Sequence, residues 1–200
     1  MNFLAHLVLS GSDPEVRLGG LMADFTRPDA EGHLPEGVKR GILLHRCIDR
    51  FTDGHPLVLA GRRRCDPAFR LASGILVDLF YDHFLARDWD LLGLEPVLDA
   101  FAARTYGELT VSADLLPSRM LAAAQRMAQE DWLTNYRDPD FLDRIVDRTA
   151  RRLRRPELLT GGGRELRHHR EAWEADFHAF WPEVVAFARK EMADRSPVPE

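Results

Sequence analysis

The amino-acid sequence predicts an all-α fold, a single-domain helical bundle, and three observations support this prediction. Asp-Pro pairs at 13–14, 66–67 and 138–139 each place an N-cap acceptor before a proline suited to the first helical position. No stretch alternates β-branched and polar residues as a half-buried strand would. No internal repeat or long linker divides the 200 residues. We therefore predict one helical domain over residues 1–195, with a frayed tail at 196–200.

The order of helices follows from these starts and from the breaks between them. Pro35 and Pro96 open two further helices. Gly161-Gly162-Gly163 is the clearest break, and it lets the last helix turn back across the bundle. The predicted helices cover residues 2–10, 14–25, 35–53, 67–89, 96–109, 115–134, 139–154 and 165–194, with a short helical turn near 57–64.

The composition excludes several protein classes. Apolar residues make up 45% of the chain, charged residues 30% and aromatic residues 9%, which is typical of a globular protein and not of a disordered or collagen-like one. Cys47 and Cys65 form no disulfide framework and no Cys-x-x-Cys pair, as expected for ordinary thiols in a reducing cytosol. A net charge of −5 argues against nucleic-acid binding.

The sequence also predicts a cytoplasmic protein that does not bind membranes. No apolar run approaches the roughly 20 residues of a membrane helix. Residues 1–9 lack the cationic start and the cleavage site of a signal peptide.

Ionisable residues interrupt the apolar helix that contains residues 75–85. Asp78 and Asp82 are four residues apart and share one face, and His83 follows directly. Because nearly every other position is large and apolar, we expect this helix to be buried all round. Unpaired carboxylates there would cost several kcal/mol, so a compensating cation is needed.

The helix over 35–53 shows the same feature, with His45, Asp49 and Asp53 on one stripe at a spacing of four. Asp24 ends an apolar helix, and His6 lies inside the apolar first helix. Four helices thus contribute inward-facing carboxylates or imidazoles. Such a set suits Mn²⁺, Fe²⁺ or Zn²⁺, and its oxygen ligands favour Mn²⁺ or Mg²⁺. The absence of cysteine from the set argues against a structural zinc site.

Each of these residues also has an ordinary structural interpretation. A single histidine in an apolar helix, such as His6 or His45, is commonly a hydrogen-bonded core residue. The carboxylates of Asp49 and Asp53 could pair with Arg46, Arg50 or another arginine. Asp24 could cap a turn before Pro28, and Asp78 could be a hydrogen-bonded core carboxylate. A metal site explains all of them together.

Helix geometry narrows the predicted ligands. On an ideal helix Asp82 and His83 point about 100° apart, whereas Asp78 and His83 diverge by about 140°. We therefore predict Asp82 and His83 as ligands, with Asp78 orienting a ligand or lying behind it.

These residues carry a resemblance to a known family. The chain resembles the bacterial acyl carrier protein phosphodiesterases, also called holo-acyl carrier protein hydrolases, from its first residue to about 144. The fragments that carry the resemblance are Asn2-Phe3-Leu4-Ala5-His6-Leu7, Ala23-Asp24-Phe25, Gly41-Ile42, His45-Arg46, Ile48-Asp49, Thr52-Asp53, Asp82-His83-Phe84-Leu85 and Tyr136-Arg137-Asp138.

The resemblance implies a function and a set of site residues. The family removes the 4′-phosphopantetheine arm from acyl carrier protein with a divalent metal, usually manganese, and has been likened to the helical HD-domain phosphohydrolases. It implies Asp24, His45, Asp82 and His83 as metal ligands. The HD signature is His then Asp, whereas this chain has Asp82 then His83, so positions are carried over only from the closer family.

We expect further roles around this site. Asp49 or Asp78 would accept a proton from water or orient a ligand, and Arg46 would bind the phosphate through its guanidinium fork. A salt bridge from Arg46 to Asp49 or Asp53 is the alternative. His6 and Asp53 would support the ligands from behind or, for His6, act as a ligand itself.

Acyl carrier protein is acidic, so the partner surface should present arginines. Arg62, Arg63 and Arg64 form the first candidate cluster. A second cluster over 151–155 ends a helix, where cations are favoured by the helix dipole alone. Two other functions remain open from the sequence, a helical phosphohydrolase of nucleotides or alarmones and a non-catalytic module that binds carrier protein.

Overall fold

A computed structural model describes residues 1–194, and these form an all-helical structure without strands, as predicted. The α-helices are α1 (Phe3–Leu9), α2 (Pro14–Met22), α3 (Glu36–Gly54), α4 (Pro56–Arg64), α5 (Ser73–Arg87), α6 (Leu98–Val111), α7 (Ser118–Gln129), α8 (Trp132–Asn135), α9 (Pro139–Ala150), α10 (Arg164–His168) and α11 (Arg170–Ala193). Short 3-10 helices cover Ala23–Phe25, Pro28–Ala30, Pro67–Ala72, Ala113–Leu115 and Pro156–Leu158. The tail predicted at 196–200 lies outside the described residues.

The three Asp-Pro pairs begin helices as predicted. The carboxylate of Asp13 accepts hydrogen bonds from the first turn of α2, and that of Asp138 accepts one from the first turn of α9. Asp66 does the same for the 3-10 helix at Pro67–Ala72. Each carboxylate satisfies a backbone N–H that has no partner within its own helix.

Several predicted helices are divided in the structure. Asp131 has a φ of 46°, in the left-handed region, and this residue separates α7 from α8 within the predicted helix at 115–134. The helix predicted over 67–89 begins as a 3-10 helix and becomes α-helical only at Ser73. The turn predicted near 57–64 is a complete helix, α4.

Helix α5 lies at the centre of the core, as its composition predicts. Its aromatic side chains Phe80 and Tyr81 are fully buried and contact Trp173 and Phe177 of α11 edge-on. Edge-to-face contacts of this kind add to the free energy gained by burying the rings. No helix among residues 1–194 is long and apolar enough to cross a membrane.

Helices α2 and α3 approach each other at a pair of glycines. A Cβ atom on Gly19 would lie 2.0 Å from the carbonyl oxygen of Val38, and one on Gly41 would lie 2.1 Å from that of Val16. Only glycine fits at these two positions, because any side chain would force the helix backbones apart. The close approach brings the end of α2 beside the His45 face of α3.

Candidate metal centre

Two histidine rings stack where α1 meets α3. The rings of His6 and His45 are 3.7 Å apart between centroids and 16° from parallel, and both are buried. Asp49, one turn after His45, contacts both rings: its Oδ1 is 3.1 Å from His6 Nε2, and its Oδ2 is 3.0 Å from His45 Nε2. The Oδ1 atom of Asp24 approaches the same nitrogen of His45 at 3.4 Å.

The backbone determines which nitrogen of His45 faces the carboxylates. Its Nδ1 donates a hydrogen bond of 2.7 Å to the carbonyl oxygen of Gly20, and a carbonyl can only accept, so Nδ1 carries a proton. In the neutral ring, Nε2 is then an acceptor that faces two further acceptors, the carboxylates of Asp24 and Asp49. This arrangement is favourable only if Nε2 gains a proton or if a cation lies among these atoms.

The protonation of these side chains follows from this geometry. Burial opposes the protonation of His45, but the carboxylates of Asp24 and Asp49 outweigh it and raise its pKa to about 9. Burial and the neighbouring charge of His45 lower the pKa of His6 to about 4. Although Asp49 is partly buried, the two imidazoles hold its pKa well below the usual range. Without a metal, the site therefore contains one imidazolium and two carboxylates.

Asp78 lies beside this group. The Met1 amine is 3.3 Å from Asp49 Oδ1 and 3.1 Å from Asp78 Oδ1, and it links the two carboxylates. Burial raises the pKa of Asp78, and the positive charge of the Met1 amine acts in the opposite direction. The carboxylates of Asp49 and Asp78 thus differ in basicity although they share a neighbour.

The structure does not bring the predicted ligand Asp82 to this group. Its carboxylate is fully buried and accepts hydrogen bonds of 2.8 Å from the Leu4 N–H and 3.0 Å from the Ala5 N–H, at the first turn of α1. Burial raises the pKa of Asp82 to about 7, against the effect of these two donors. Asp82 therefore caps the helix that carries His6, and each of its oxygens accepts a hydrogen bond from that helix.

His83 is also placed elsewhere. Its Nδ1 donates a hydrogen bond of 2.8 Å to the carbonyl oxygen of Tyr136, and its ring packs edge-on against Phe84. Burial lowers its pKa. Because adjacent helix positions point about 100° apart, His83 cannot face α1 when Asp82 does. The predicted pair is thus divided between two packing surfaces of α5.

The predicted phosphate-binding residue Arg46 has another partner. Its guanidinium lies 2.5 Å from a carboxylate oxygen of Glu31, and not beside Asp49 or Asp53 as the alternative prediction held. Asp53 pairs instead with Arg62 at 2.5 Å. The half-exposed Arg46 therefore ties α3 to the loop before it.

The three arginines of the predicted docking cluster have three different environments. Arg63 is exposed and makes no ion pair among residues 1–194. Arg64 lies over the Trp173 ring at 4.8 Å from its centroid and pairs with Asp176 at 2.7 Å, so it braces α4 against α11. Arg62 is partly buried beside Asp53.

The residues brought together fit a divalent cation. Ligand atoms of the buried His6 and His45 and of the partly buried Asp49 lie within 4.8 Å of one another. Asp24 contributes a more exposed oxygen from the 3-10 helix after α2. A set of imidazole nitrogens and carboxylate oxygens without thiolates suits Mn²⁺, Fe²⁺ or Zn²⁺. The facing acceptors around Nε2 of His45 are an arrangement that a bound cation would relieve.

A second group of possible ligands is already paired with a cation. Asp88, Glu174 and His178 lie together on the far part of α5 and on α11. The Arg87 guanidinium pairs with both carboxylates, at 2.6 Å each. This group is an ion-pair network with its own cation.

Comparisons with known proteins identify the family of this chain. The profile of the family described as "Acyl carrier protein phosphodiesterase" matches residues 1–184. The chain belongs to this family. A curated relative from Salmonella dublin is 34% identical over 190 residues, covering 95% of this chain and 98% of the relative. One from Photorhabdus laumondii is 33% identical over 185 residues, covering 92% and 93%. Both relatives are named acyl carrier protein phosphodiesterase.

The family relationship confirms the resemblance seen in the sequence. A phosphodiesterase is a hydrolase of phosphodiester bonds, so the family is one of enzymes. No solved structure matches the chain, so the likeness to HD-domain enzymes stays a prediction.

Two features of the site were less evident in the sequence, the position of His6 and the backbone partner of His45. His6 was expected behind the ligands or as an optional one, yet its Nε2 is as close to Asp49 as that of His45 is. Its position inside the apolar first helix was the signal available in the sequence. The role of the Gly20 carbonyl had no sequence signal, because any residue carries one.

Proposed function

We propose that this protein hydrolyses the phosphodiester between 4′-phosphopantetheine and the serine of holo-acyl carrier protein. The products are the apo-carrier, with a free serine hydroxyl, and 4′-phosphopantetheine. The observation that carries the proposal is the convergence of His6, His45, Asp49 and Asp24 in a chain that belongs to the acyl carrier protein phosphodiesterase family. The enzyme would act in the cytoplasm on a protein substrate.

We propose that His6, His45 and Asp49 hold a divalent ion, with Asp24 as a fourth, more exposed ligand. The mixed nitrogen and oxygen set favours Mn²⁺, with Mg²⁺ or Fe²⁺ as alternatives. When bound, such an ion lowers the pKa of water and neutralises the phosphate oxygens. The Gly20 carbonyl would keep Nε2 of His45 directed at the ion, and Asp82 would keep α1 in position.

The two carboxylates next to the Met1 amine would take different roles. Asp49 has a pKa far below the usual range, which makes it a weak proton acceptor and a good ligand. Burial raises the pKa of Asp78, which makes it the stronger base. We propose that Asp78 accepts a proton from the attacking water as the water oxygen bonds to phosphorus and the phosphorus–oxygen bond to serine breaks. The proton held by Asp78 would then pass to the serine oxygen, so that the serine hydroxyl is restored.

The test is mass spectrometry of holo-carrier protein incubated with the EDTA-treated enzyme, with and without added Mn²⁺. We expect the carrier to lose the mass of its phosphopantetheine arm only when the metal is present. Loss of the arm with EDTA would show that metal is not required.

The same experiment separates the other candidate functions. A carrier-binding module would retain the holo-carrier without forming product. A nucleotide or alarmone hydrolase would leave the carrier unchanged and release phosphate from those substrates. The structure favours neither alternative.

A further inference from the structure

Arg62 is the one member of its arginine cluster that lies beside the metal centre. Its guanidinium lies against the first turn of α5 at Gly74, where a Cβ atom would be 2.9 Å from Nη2 and 3.5 Å from Nε. Asp78 is one turn further along the same helix face. The positive charge of Arg62 is close enough to lower the pKa of Asp78, against the larger effect of burial.

The contacts of Arg62 leave much of its hydrogen-bonding capacity unused. Among residues 1–194, only Nη2 is bonded, to Asp53 at 2.5 Å, and the buried Nε has no hydrogen-bond partner. An unsatisfied buried donor is unfavourable, so this pairing is incomplete on its own. A guanidinium presents its donors in a fork that matches the oxygens of a phosphate.

The charge at the metal centre favours a further cation such as Arg62 beside a bound phosphate. Asp24, Asp49 and Asp78 contribute three negative charges, and the Met1 amine, paired with Asp49 and Asp78, contributes one positive charge. A divalent ion together with this amine would balance the three carboxylates, which leaves the charge of a phosphodiester anion without a partner. Arg46 is held by Glu31 at 2.5 Å, whereas the partner of Arg62, Asp53, is exposed to solvent.

We propose that Arg62 binds the phosphate of the substrate at the Asp78 side of the metal centre, and that it is a substrate-binding residue rather than part of a protein-docking surface. This inference rests on the proposed function for the nature of the substrate. Binding of inorganic phosphate is measured separately from hydrolysis, so failure of one is distinguishable from failure of the other.

The first experiment is calorimetric titration of inorganic phosphate into the metal-free and the Mg²⁺-loaded protein. We expect Arg62→Ala to weaken binding about tenfold or more, since one charge-assisted bidentate contact is lost, and Arg62→Lys to restore part of it. Arg119→Ala is the control, because Arg119 is exposed on α7 and makes no ion pair among the described residues. Wild-type affinity in Arg62→Ala, or no binding by the wild type at millimolar phosphate, would overturn the proposal.

Asp53→Asn separates phosphate binding from a purely structural salt bridge. It removes the partner of Arg62 but keeps the guanidinium. If the Arg62–Asp53 salt bridge had only a structural role, Asp53→Asn would weaken phosphate binding as much as Arg62→Ala does. That result would contradict the proposal. We expect phosphate to bind Asp53→Asn at least as tightly as the wild type, since no carboxylate competes for the fork. This variant keeps the test valid if Arg62→Ala does not fold.

The second experiment compares two diesters, holo-carrier protein and a small synthetic aryl phosphodiester. A residue that binds the phosphate contributes to the hydrolysis of both diesters. We therefore expect Arg62→Ala to lower kcat/KM about tenfold or more for each diester. A loss confined to the carrier would assign Arg62 to docking and overturn the proposal.

Discussion

His6 and His45 stack face to face at 3.7 Å between ring centroids, and they share the carboxylate of Asp49. Two imidazolium rings at this distance would repel each other in a buried site, so only one can be charged. The second carboxylate, that of Asp24, approaches His45 alone. The site is therefore asymmetric before any metal binds, with the proton on His45.

This asymmetry predicts the titration of the metal-free protein. We expect His45 to titrate with a pKa of about 9 and His6 with a pKa of about 4, as two proton NMR signals. The spectrum of His45→Gln, recorded with EDTA present, assigns the first signal. A His45 pKa at or below the ordinary value of 6.5 would contradict the geometry.

The raised pKa of His45 also determines how the stability of the protein depends on pH. Because the folded-state pKa of His45 is above its ordinary value of 6.5, its stabilising contribution is complete below 6.5 and is lost as the pH rises through about 9. Urea titrations of the EDTA-treated wild type should show this loss, and His45→Gln should not. Mn²⁺ competes with the proton, so metal affinity should rise over the same interval.

Two histidine variants test the location of the metal. We expect His6→Gln to weaken Mn²⁺ binding at least about tenfold, because His6 contributes a nitrogen to the cluster, whereas His83→Gln should bind Mn²⁺ as the wild type does. Equilibrium dialysis with metal analysis measures this, with circular dichroism as the check on folding. Equal loss in both variants would place the ion nearer to α5 than we propose.

Asp82 is expected to affect stability more than metal binding. Removing its carboxylate leaves two buried N–H groups of α1 unsatisfied, so Asp82→Ala should lower the free energy of unfolding by about 2 kcal/mol. Asp138→Ala is the matched control, since that exposed N-cap should cost about 1 kcal/mol. Urea denaturation gives both values. An Asp82 variant of normal stability that binds no Mn²⁺ would make Asp82 a ligand instead.

The other two arginines of the cluster are expected to differ in role: Arg63 in docking of the carrier and Arg64 in packing of the helices. Arg63→Glu should reduce kcat/KM for holo-carrier at low salt and leave the small diester unaffected, because an exposed charge acts mainly on the encounter. Arg64→Glu should lower stability instead, since it loses the contacts with Trp173 and Asp176. Steady-state kinetics in low and high salt test the first expectation. An equal loss on both substrates in Arg63→Glu would exclude a docking role.

Much of the fold could be predicted because its signals are local. The Asp-Pro pairs began helices as expected, since a carboxylate at the N-cap acts within one turn of its own residue. The burial of α5 followed from its large apolar side chains, which occupy nearly every position around the carboxylates. The points at which helices are interrupted were harder to predict. Asp131 separates α7 from α8 by its left-handed conformation, and its sequence neighbours gave no sign of that conformation.

For the site, the sequence by itself determined which residues are unusual: carboxylates and imidazoles on helices that must be buried, among them His45 and Asp49 on one face of α3. Only the tertiary structure decided which of them meet. Asp24 reaches His45 because two glycines let α2 and α3 pack closely, whereas Asp82 meets the backbone of α1 and His83 that of Tyr136. Spacing along one helix specifies a direction, but the partner in that direction depends on how the helices pack against one another.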